Sequence, residues 1–289
     1  MKKLTMMVGP PGSGKSTIAR TLCQETGAIY INQDSQGKEH LAIFDEAVIA
    51  GKNVVVDRMN FDRKQRGRYL GIAKDFGYQT EIRVFHQPYE VCLDRMAKRE
   101  GHETIKNEES ARSALQVFFT KYERVEDEEA DKVTRFWPEG EKPEAIICDL
   151  DGTLADCLHR MHHIMGKRDW PAFFAGIKDD TPNKWCADIL NGLRKQYEIV
   201  YCTGRTEEYR KQTQHWLTKH GLWQMCRGNL IMRPSGDYRK GPIIKETLLD
   251  FEILTKFKPC LMIDDNKDIV AMWRKRGYTC LDCGSYGDF

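Results

Sequence analysis

Long apolar runs are missing from this chain. None of its 289 residues lies in an unbroken stretch of the roughly 18 apolar side chains that a membrane-spanning helix needs, so no membrane span is expected. A leader peptide is not expected either. The apolar part of Met1-Lys2-Lys3-Leu4-Thr5-Met6-Met7-Val8 stops at Gly9-Pro10-Pro11-Gly12, too soon for a leader core and with no cleavage pattern. A cysteine framework is missing as well. Ten cysteines are scattered through a chain far longer than a disulfide scaffold, which points to reduced thiols and a cytoplasmic setting. Cys280-x-x-Cys283 stands alone, without the second pair or spaced histidines of a zinc site. Excess charge of one sign is also absent. The 45 basic and 43 acidic side chains leave +2, so composition announces no nucleic-acid binder. There is no fixed-period repeat and no low-complexity tract.

What is present suits two soluble domains: a length near 300, 40% hydrophobic residues and 30% charged. Charge is patterned locally. Residues 58–68 hold five basic side chains against one Asp, and residues 123–131 hold six acids against one Arg. The acidic run reads as a solvated helix face. The basic run is placed to steer an anionic substrate, with Arg58, Arg63, Lys64, Arg66 and Arg68 candidates for contact with its backbone.

Short β-rich runs alternate with longer helical patterns. Residues 4–8, 29–31, 54–56 and 81–85 read as strands, and 65–76, 89–99 and 110–125 as helices. Residues 135–143 then break the pattern with two Pro, one Gly and four charges around Pro138, and read as a linker. A second series follows, with strands at 145–148, 199–202, 229–232 and 260–263 and helices at 184–195, 206–220, 241–255 and 267–275. The expectation is α/β throughout: two doubly wound parallel-sheet domains, at 1–140 and 144–289.

Gly9-Pro10-Pro11-Gly12-Ser13-Gly14-Lys15-Ser16 satisfies the phosphate-loop pattern between a strand and a helix. Backbone N–H groups of Gly9, Gly12, Ser13, Gly14 and the first helical turn, including Thr17, would cradle phosphates. Lys15 would reach the β- and γ-phosphates of ATP, and the Ser16 hydroxyl would hold Mg²⁺. Asp34 follows the strand at 29–31, at the carboxyl edge where ligands bind, and a carboxylate there can take a proton from an attacking hydroxyl. A turn aspartate is the equally open alternative. Asp57 ends the strand at 54–56 and reads as an acceptor-site organiser or metal partner. Arg95 and Arg99 share a helix face and are candidates to clamp ATP phosphates.

The second half carries a different set. Asp149-Leu150-Asp151-Gly152-Thr153 follows a buried strand, and two carboxylates one residue apart can divide nucleophilic attack from proton delivery. Thr203-Gly204-Arg205, Lys245 and Asp264-Asp265 follow in order, mostly at strand ends. This layout resembles the haloacid dehalogenase superfamily of phosphatases. A phosphate-loop kinase followed by such a phosphatase resembles the phage-type polynucleotide 5′-kinase/3′-phosphatase family. The likeness takes in Met1-Lys2-Lys3, the loop from Pro11 to Thr17, Ile31-Asn32-Gln33-Asp34, Thr153-Leu154-Ala155, Gly204-Arg205, Ile263-Asp264-Asp265, Met272-Trp273-Arg274 and Gly287-Asp288-Phe289.

That resemblance implies roles. Asp34 would be the general base for a 5′-hydroxyl, and Arg95 and Arg99 would belong to a kinase lid. Asp149 would be the phosphatase nucleophile and Asp151 its acid/base. Arg160 would sit near the leaving group, and Thr203, Gly204, Arg205 and Lys245 would bind phosphate. Mg²⁺ would be held by Asp149, Asp151, Asp264 and Asp265. The partners implied are 5′-hydroxyl and 3′-phosphate ends of RNA or DNA, with room for a homo-oligomer and with a phage-encoded protein acting in a host cytoplasm.

Two positions depart from the pattern. The family often has an arginine three residues after the general base, where this chain has Gly37 followed by Lys38, the nearest candidate for the acceptor phosphate. Gly241 replaces an acidic residue ahead of Lys245. His159, His162 and His163 suggest cap-loop residues beside the phosphatase site rather than a metal cluster. The reading is an end-healing kinase/phosphatase. The alternatives are a kinase/phosphatase of nucleosides or small metabolites, and an ATP-sensing module fused to a phosphatase.

Overall fold

The computed structural model describes residues 2–98 and 107–284, so Arg99 and Gly287-Asp288-Phe289 lie outside the described residues. The chain divides into two units, Met1–Glu139 and Gly140–Phe289.

The first unit runs β1 (Lys3–Val8), α1 (Lys15–Thr26), β2 (Ile29–Ile31), α2 (Gln33–Gln36), α3 (His40–Ile49), β3 (Val54–Asp57), α4 (Arg63–Asp75), β4 (Gln79–Phe85), α5 (Tyr89–Ala97), α6 (Glu108–Lys121) and β5 (Lys132–Phe136). The strands form one parallel sheet in the order β2-β3-β1-β4-β5. Val54-Val55-Val56 and Leu4-Thr5-Met6-Met7-Val8 are buried on both faces, the unbroken apolar character of a central parallel strand. The chain moves to one side of β1 and then the other, which makes the carboxyl end of β1 the switch point.

Two sequence readings change here. Arg135 and Phe136 are not linker. They end β5, which pairs with β4 from Glu81↔Lys132 to Phe85↔Phe136. An edge strand is only half buried, and its five residues gave no apolar run. The acidic run 123–131 is not a solvated helix face. Glu123 accepts the Arg63 N–H at 2.8 Å, Asp131 accepts the Thr80 N–H at 2.7 Å, and Glu129 takes Arg66 Nε at 2.6 Å. Arg66 is therefore no substrate contact. It is fully buried, and its guanidinium also donates to the carbonyls of Asn60, Phe61 and Glu123.

The second unit runs β6 (Glu144–Cys148), β7 (Ala155–Asp156), α7 (Leu158–Met161), α8 (Trp170–Ala175), β8 (Thr181–Pro182), α9 (Lys184–Leu193), β9 (Glu198–Thr206), α10 (Arg210–Lys219), α11 (Trp223–Cys226), β10 (Leu230–Arg233), α12 (Gly241–Leu248), β11 (Lys258–Asp264), α13 (Lys267–Lys275) and β12 (Cys280–Asp282). Its main sheet is parallel, in the order β10-β9-β6-β11-β12, with the small antiparallel pair β7-β8 beside it. One core holds Trp216, Tyr201 and Phe173; the other holds Trp273, Val200 and Met262. The helix expected at 241–255 runs as α12 and then widens into a π-turn at Leu249–Ile253. Cys280 lies in β12, buried against β11. Among the described residues no helix is long and apolar enough to cross a membrane.

The burial of Arg66 separates two kinds of charge in one run. Arg66→Met should destabilise the protein by about 3–5 kcal/mol in urea unfolding, because Glu129 and the carbonyls lose their donor. Lys64→Ala, at an exposed position, should stay within about 0.5 kcal/mol of the parent. Equal effects would remove the structural role assigned to Arg66.

Candidate functional site

The first site lies at the carboxyl end of β1. A cleft of about 420 Å³ there is lined by Gly12, Gly14, Lys15, Ser16, Thr17, Asp34, Asp57 and Arg95, together with Arg20 and Arg58. Gly12 has φ +81°, and a Cβ on it would fall 2.6 Å from the Cys92 carbonyl oxygen, so α5 forces glycine into the loop. Gly14, also left-handed, starts α1 with no side-chain cap, so the positive end of the helix opens on the cleft, while the Thr17 N–H donates to the Gly14 carbonyl at 3.2 Å. Lys15 Nζ donates to the Pro10 carbonyl at 3.3 Å. Gly9 and Ser13, expected to cradle phosphate, do not line the cleft: the Gly9 N–H donates to the Met59 carbonyl and the Ser13 N–H to the Pro10 carbonyl, both at 3.2 Å, and Ser13 Oγ is buried with no hydrogen-bond partner among the described residues. Arg95 Nη1 donates to the Gly12 carbonyl at 3.4 Å, so its guanidinium reaches the loop.

Asp57 is 1% exposed. Its Oδ2 accepts the Tyr30 hydroxyl at 2.6 Å and Asn32 Nδ2 at 3.3 Å, while Oδ1 has no hydrogen-bond partner among the described residues. A buried, half-satisfied carboxylate lining the same cleft as Ser16 fits a hard cation with oxygen ligands. Burial and the nearby Asp57 push the Tyr30 phenol above its ordinary range, so it stays a donor. Asn32 also caps α2 through the Ser35 N–H at 3.0 Å, and that short helix presents Asp34, exposed, to the cleft. Arg58 donates to Gln33 and, at 2.9 Å, to the Tyr69 hydroxyl. Lys38 is exposed on the turn after α2 and does not line the cleft.

The second site lies at the carboxyl ends of β6, β9 and β11. Lys245 Nζ, buried, is 2.7 Å from both Asp149 Oδ1 and Asp264 Oδ2. Asp264 is otherwise engaged too, through Trp273 Nε1 at 3.2 Å and the Asn266 N–H at 3.3 Å. Asp265 accepts the Thr153 hydroxyl at 3.1 Å and fills the space beside Gly152, whose φ is +85°. A Cβ on Gly152 would lie 2.0 Å from Asp265 Oδ2, so only glycine lets the two loops meet. Oxygens of Asp149, Asp264 and Asp265 lie within 4.8 Å of one another. One ammonium faces three carboxylates. Burial, only partly offset by Lys245, and the neighbouring acids raise the Asp149 carboxyl well above its ordinary range, and burial with Asp264 pushes Asp265 up to about 6. An all-oxygen set with excess negative charge fits Mg²⁺.

The Asp151 side chain does not join that cluster, contrary to its expected place among the metal ligands. It accepts Arg205 Nε at 2.9 Å and Nη2 at 2.5 Å, and also Arg160. Burial alone would raise its pKa, but the two guanidiniums outweigh burial and hold the carboxyl far below the usual range. Asp180, fully buried and not foreseen, fixes both arginines. Its oxygens accept Arg160 Nε at 2.6 Å and Arg205 Nη2 at 3.0 Å, and it also meets His159 Nε2 at 3.0 Å. Arg160 lies 4.0 Å over the Phe173 ring. Thr203 is buried, its hydroxyl accepting the Arg205 N–H at 3.2 Å. His162 and His163 stack on each other at 3.9 Å. Asp180 and Tyr30 carry no motif, and only their contacts reveal them; Asn32 lay in the quoted stretch at 31–34, but its role as cap and Asp57 partner shows only in its contacts.

Comparisons with known proteins give the same division. Residues 143–289 match the family described as the polynucleotide kinase PNKP phosphatase domain, and residues 4–41 and 36–124 match an AAA domain. The chain is 26% identical, over 94% of its length, to a protein of Autographa californica nuclear polyhedrosis virus named for bifunctional polynucleotide kinase/RNA ligase activity. It is 35% identical over 27% of its length to an Acanthamoeba polyphaga mimivirus protein named for bifunctional polynucleotide phosphatase/kinase activity. The chain spans 41% of the first relative and 19% of the second. A solved chain in the Pnkp1/Rnl/Hen1 complex is 26% identical, with coverage of 100% of this chain and 98% of that one, at a TM-score of 0.42.

Asp264 and Asp265 do different work in this geometry. Asp264→Asn should lower stability by about 1–3 kcal/mol, because it weakens the hold on Lys245. Asp265→Asn should leave the melting temperature in EDTA unchanged or higher, since it removes one of the crowded charges, and should reduce the rise that Mg²⁺ produces. Scanning calorimetry with and without Mg²⁺ checks both. A Mg²⁺ shift that survives Asp265→Asn in full would exclude Asp265 as a ligand.

Proposed function

Through residues 143–289 the chain belongs to the polynucleotide kinase PNKP phosphatase-domain family, and from that membership we propose a two-headed enzyme that heals nucleic-acid ends. The N-terminal unit transfers the γ-phosphate of ATP to a 5′-hydroxyl. The C-terminal unit removes a 3′-phosphate through an aspartyl-phosphate. One observation carries this reading: a single chain holds a phosphate-loop cleft with a carboxylate exposed to it, and a buried aspartate site matched to polynucleotide phosphatases.

In the kinase unit, Lys15 and the backbone of Gly12, Gly14 and Ser16 at the start of α1 hold the triphosphate, and Arg95 approaches it from α5. Arg99 belongs to the same reading from sequence alone. Asp34 takes the proton of the attacking hydroxyl. Ser16 and Asp57 would hold Mg²⁺ there. In the phosphatase unit, Asp149, Asp264 and Asp265 would hold Mg²⁺, which when bound neutralises the repulsion between the phosphate and the attacking carboxylate. Asp149 attacks phosphorus, and Lys245, Thr203, Gly204 and Arg205 receive the phosphate oxygens. Asp151 protonates the departing sugar oxygen and then deprotonates the water that breaks the acyl phosphate. An arriving phosphate competes with Asp151 for Arg205, and loosening of that pair raises the affinity of Asp151 for the proton it delivers.

Lys15→Ala or Asp34→Ala should abolish 5′-phosphorylation and leave 3′-dephosphorylation nearly intact, while Asp149→Asn does the reverse. Assays on 5′-hydroxyl oligonucleotides and on free nucleosides, run side by side, check the substrate class as well. Phosphorylation of nucleosides alone would replace this reading with a small-molecule kinase, and ATP binding without transfer would replace it with a nucleotide sensor.

Asp151→Asn should slow release from a 3′-phosphorylated oligonucleotide more than from an aryl phosphate, whose leaving group needs less protonation. Single-turnover rates in Mg²⁺ measure the difference. Equal damage to both substrates would remove the general-acid role.

A further inference from the structure

Arg233 is the last residue of β10 and plays no part in the chemistry above. The β9–β10 ladder breaks at this point. Met232 pairs with Thr203, but Arg233 pairs with Thr206, so Gly204 and Arg205 bulge out opposite it. Arg233 Nη2 lies 3.7 Å from where a Gly204 Cβ would stand, so the guanidinium packs on the Gly204 backbone.

The other cations at this sheet edge are neutralised. Lys245 is paired with Asp149 and Asp264, and Arg160 and Arg205 are paired with Asp151 and Asp180. Arg233 makes no salt bridge among the described residues. Among the described residues its buried Nε has no hydrogen-bond partner, and its Nη1 reaches the Asp237 carbonyl at 3.5 Å. The Asp237 carboxylate is held by Arg239, through Nη2 at 2.6 Å and Nε at 3.0 Å. Gly241, at the end of the loop, brings no acid. A partly buried guanidinium with a donor unmet is a costly arrangement, and an anion would relieve it.

Its strand stands back from the attacking carboxylate, since β10 is two strands from β6, roughly 10 Å at the usual strand spacing. The guanidinium reaches back to the Gly204 margin of the phosphate pocket, so an anion held by it would lie beside that pocket, on the side away from β6. The same loop carries Tyr238, 94% exposed, between the paired Asp237 and Arg239, and an exposed aromatic ring is a platform on which a base of any sequence can stack.

We propose that Arg233 binds the internucleotide phosphate next to the 3′ end, and that Tyr238 stacks on the adjoining base, so that the loop from β10 to α12 is the polynucleotide-reading subsite of the phosphatase. The proposal rests on the 3′-phosphatase reading and names its substrate more closely: a chain of at least two nucleotides.

The test compares a nucleoside 3′-monophosphate, which lacks the internucleotide phosphate, with a 3′-phosphorylated dinucleotide and decanucleotide. The wild-type protein should prefer the two longer substrates. Arg233→Gln should raise KM for them about tenfold, in line with loss of a charge-assisted hydrogen bond. It should raise KM for the mononucleotide less than twofold, and should leave kcat for the longer substrates within twofold. Arg233→Lys should restore part of the lost affinity, and the salt slope of oligonucleotide binding should fall by about 0.7 in the Gln variant. Tyr238→Ala should raise KM for the longer substrates without changing the salt slope. Equal losses on all three substrates would place Arg233 on the scissile phosphate or in the fold, and no loss on any would free it from substrate; either overturns the subsite. A wild-type enzyme that treats mononucleotide and dinucleotide alike would overturn the polynucleotide reading itself.

Discussion

The ammonium of Lys245, 2.7 Å from two buried aspartates, is the contact around which the second unit is arranged. Buried carboxylates repel one another unless something positive stands between them. Lys245 links the end of β6 to the end of β11 and leaves Asp265 crowded against Gly152. The neighbouring group follows the same rule in another ratio: two guanidiniums hold two carboxylates, Asp151 and Asp180. The site is thus divided into a cluster short of positive charge, suited to a cation, and a balanced one, where proton position depends on what displaces an arginine.

The first unit solves a similar problem with backbone. Its phosphate loop relies on N–H groups and on glycines that admit α5 closely. Exposed charged side chains, Arg20, Asp34 and Arg95, line its cleft, with Lys15 and Asp57 buried. An open site suits a cosubstrate that must enter and leave at each turnover. A buried one suits chemistry in which a carboxylate is itself modified and water must be metered.

Much of this was legible in the sequence because parallel sheets put function at strand ends. Asp149, Thr203 and Asp264 each follow a buried apolar run, so the strand and its catalytic candidate are read together. The phosphate loop is legible for the same reason. What escaped is held by contacts across long separations. Asp180 lies 20 residues from Arg160 and 25 from Arg205, before the two-residue strand β8 and outside any motif. Arg66 sat in a run of basic residues and gave no sign that it alone turns inward. β5 and β12 are short edge strands with half-exposed residues, which look like loop until a partner strand is known. The charged run at 123–131 misled because composition reports charge, not whether backbone N–H groups are waiting for it.

The buried Arg66–Glu129 pair bears on how the first sheet is completed. It joins residues 63 apart and anchors the irregular segment that delivers β5 to the edge of β4. Until that segment docks, β4 offers a row of unpaired backbone groups along a largely buried, β-prone sequence, Gln79–Phe85. Closure of so long a loop is slow compared with the local helices before it. During synthesis, therefore, the sheet stays open at one margin until the ribosome has released Phe136. The nascent unit's exposure to wrong partners is then set by the arrival of its last strand rather than by its core.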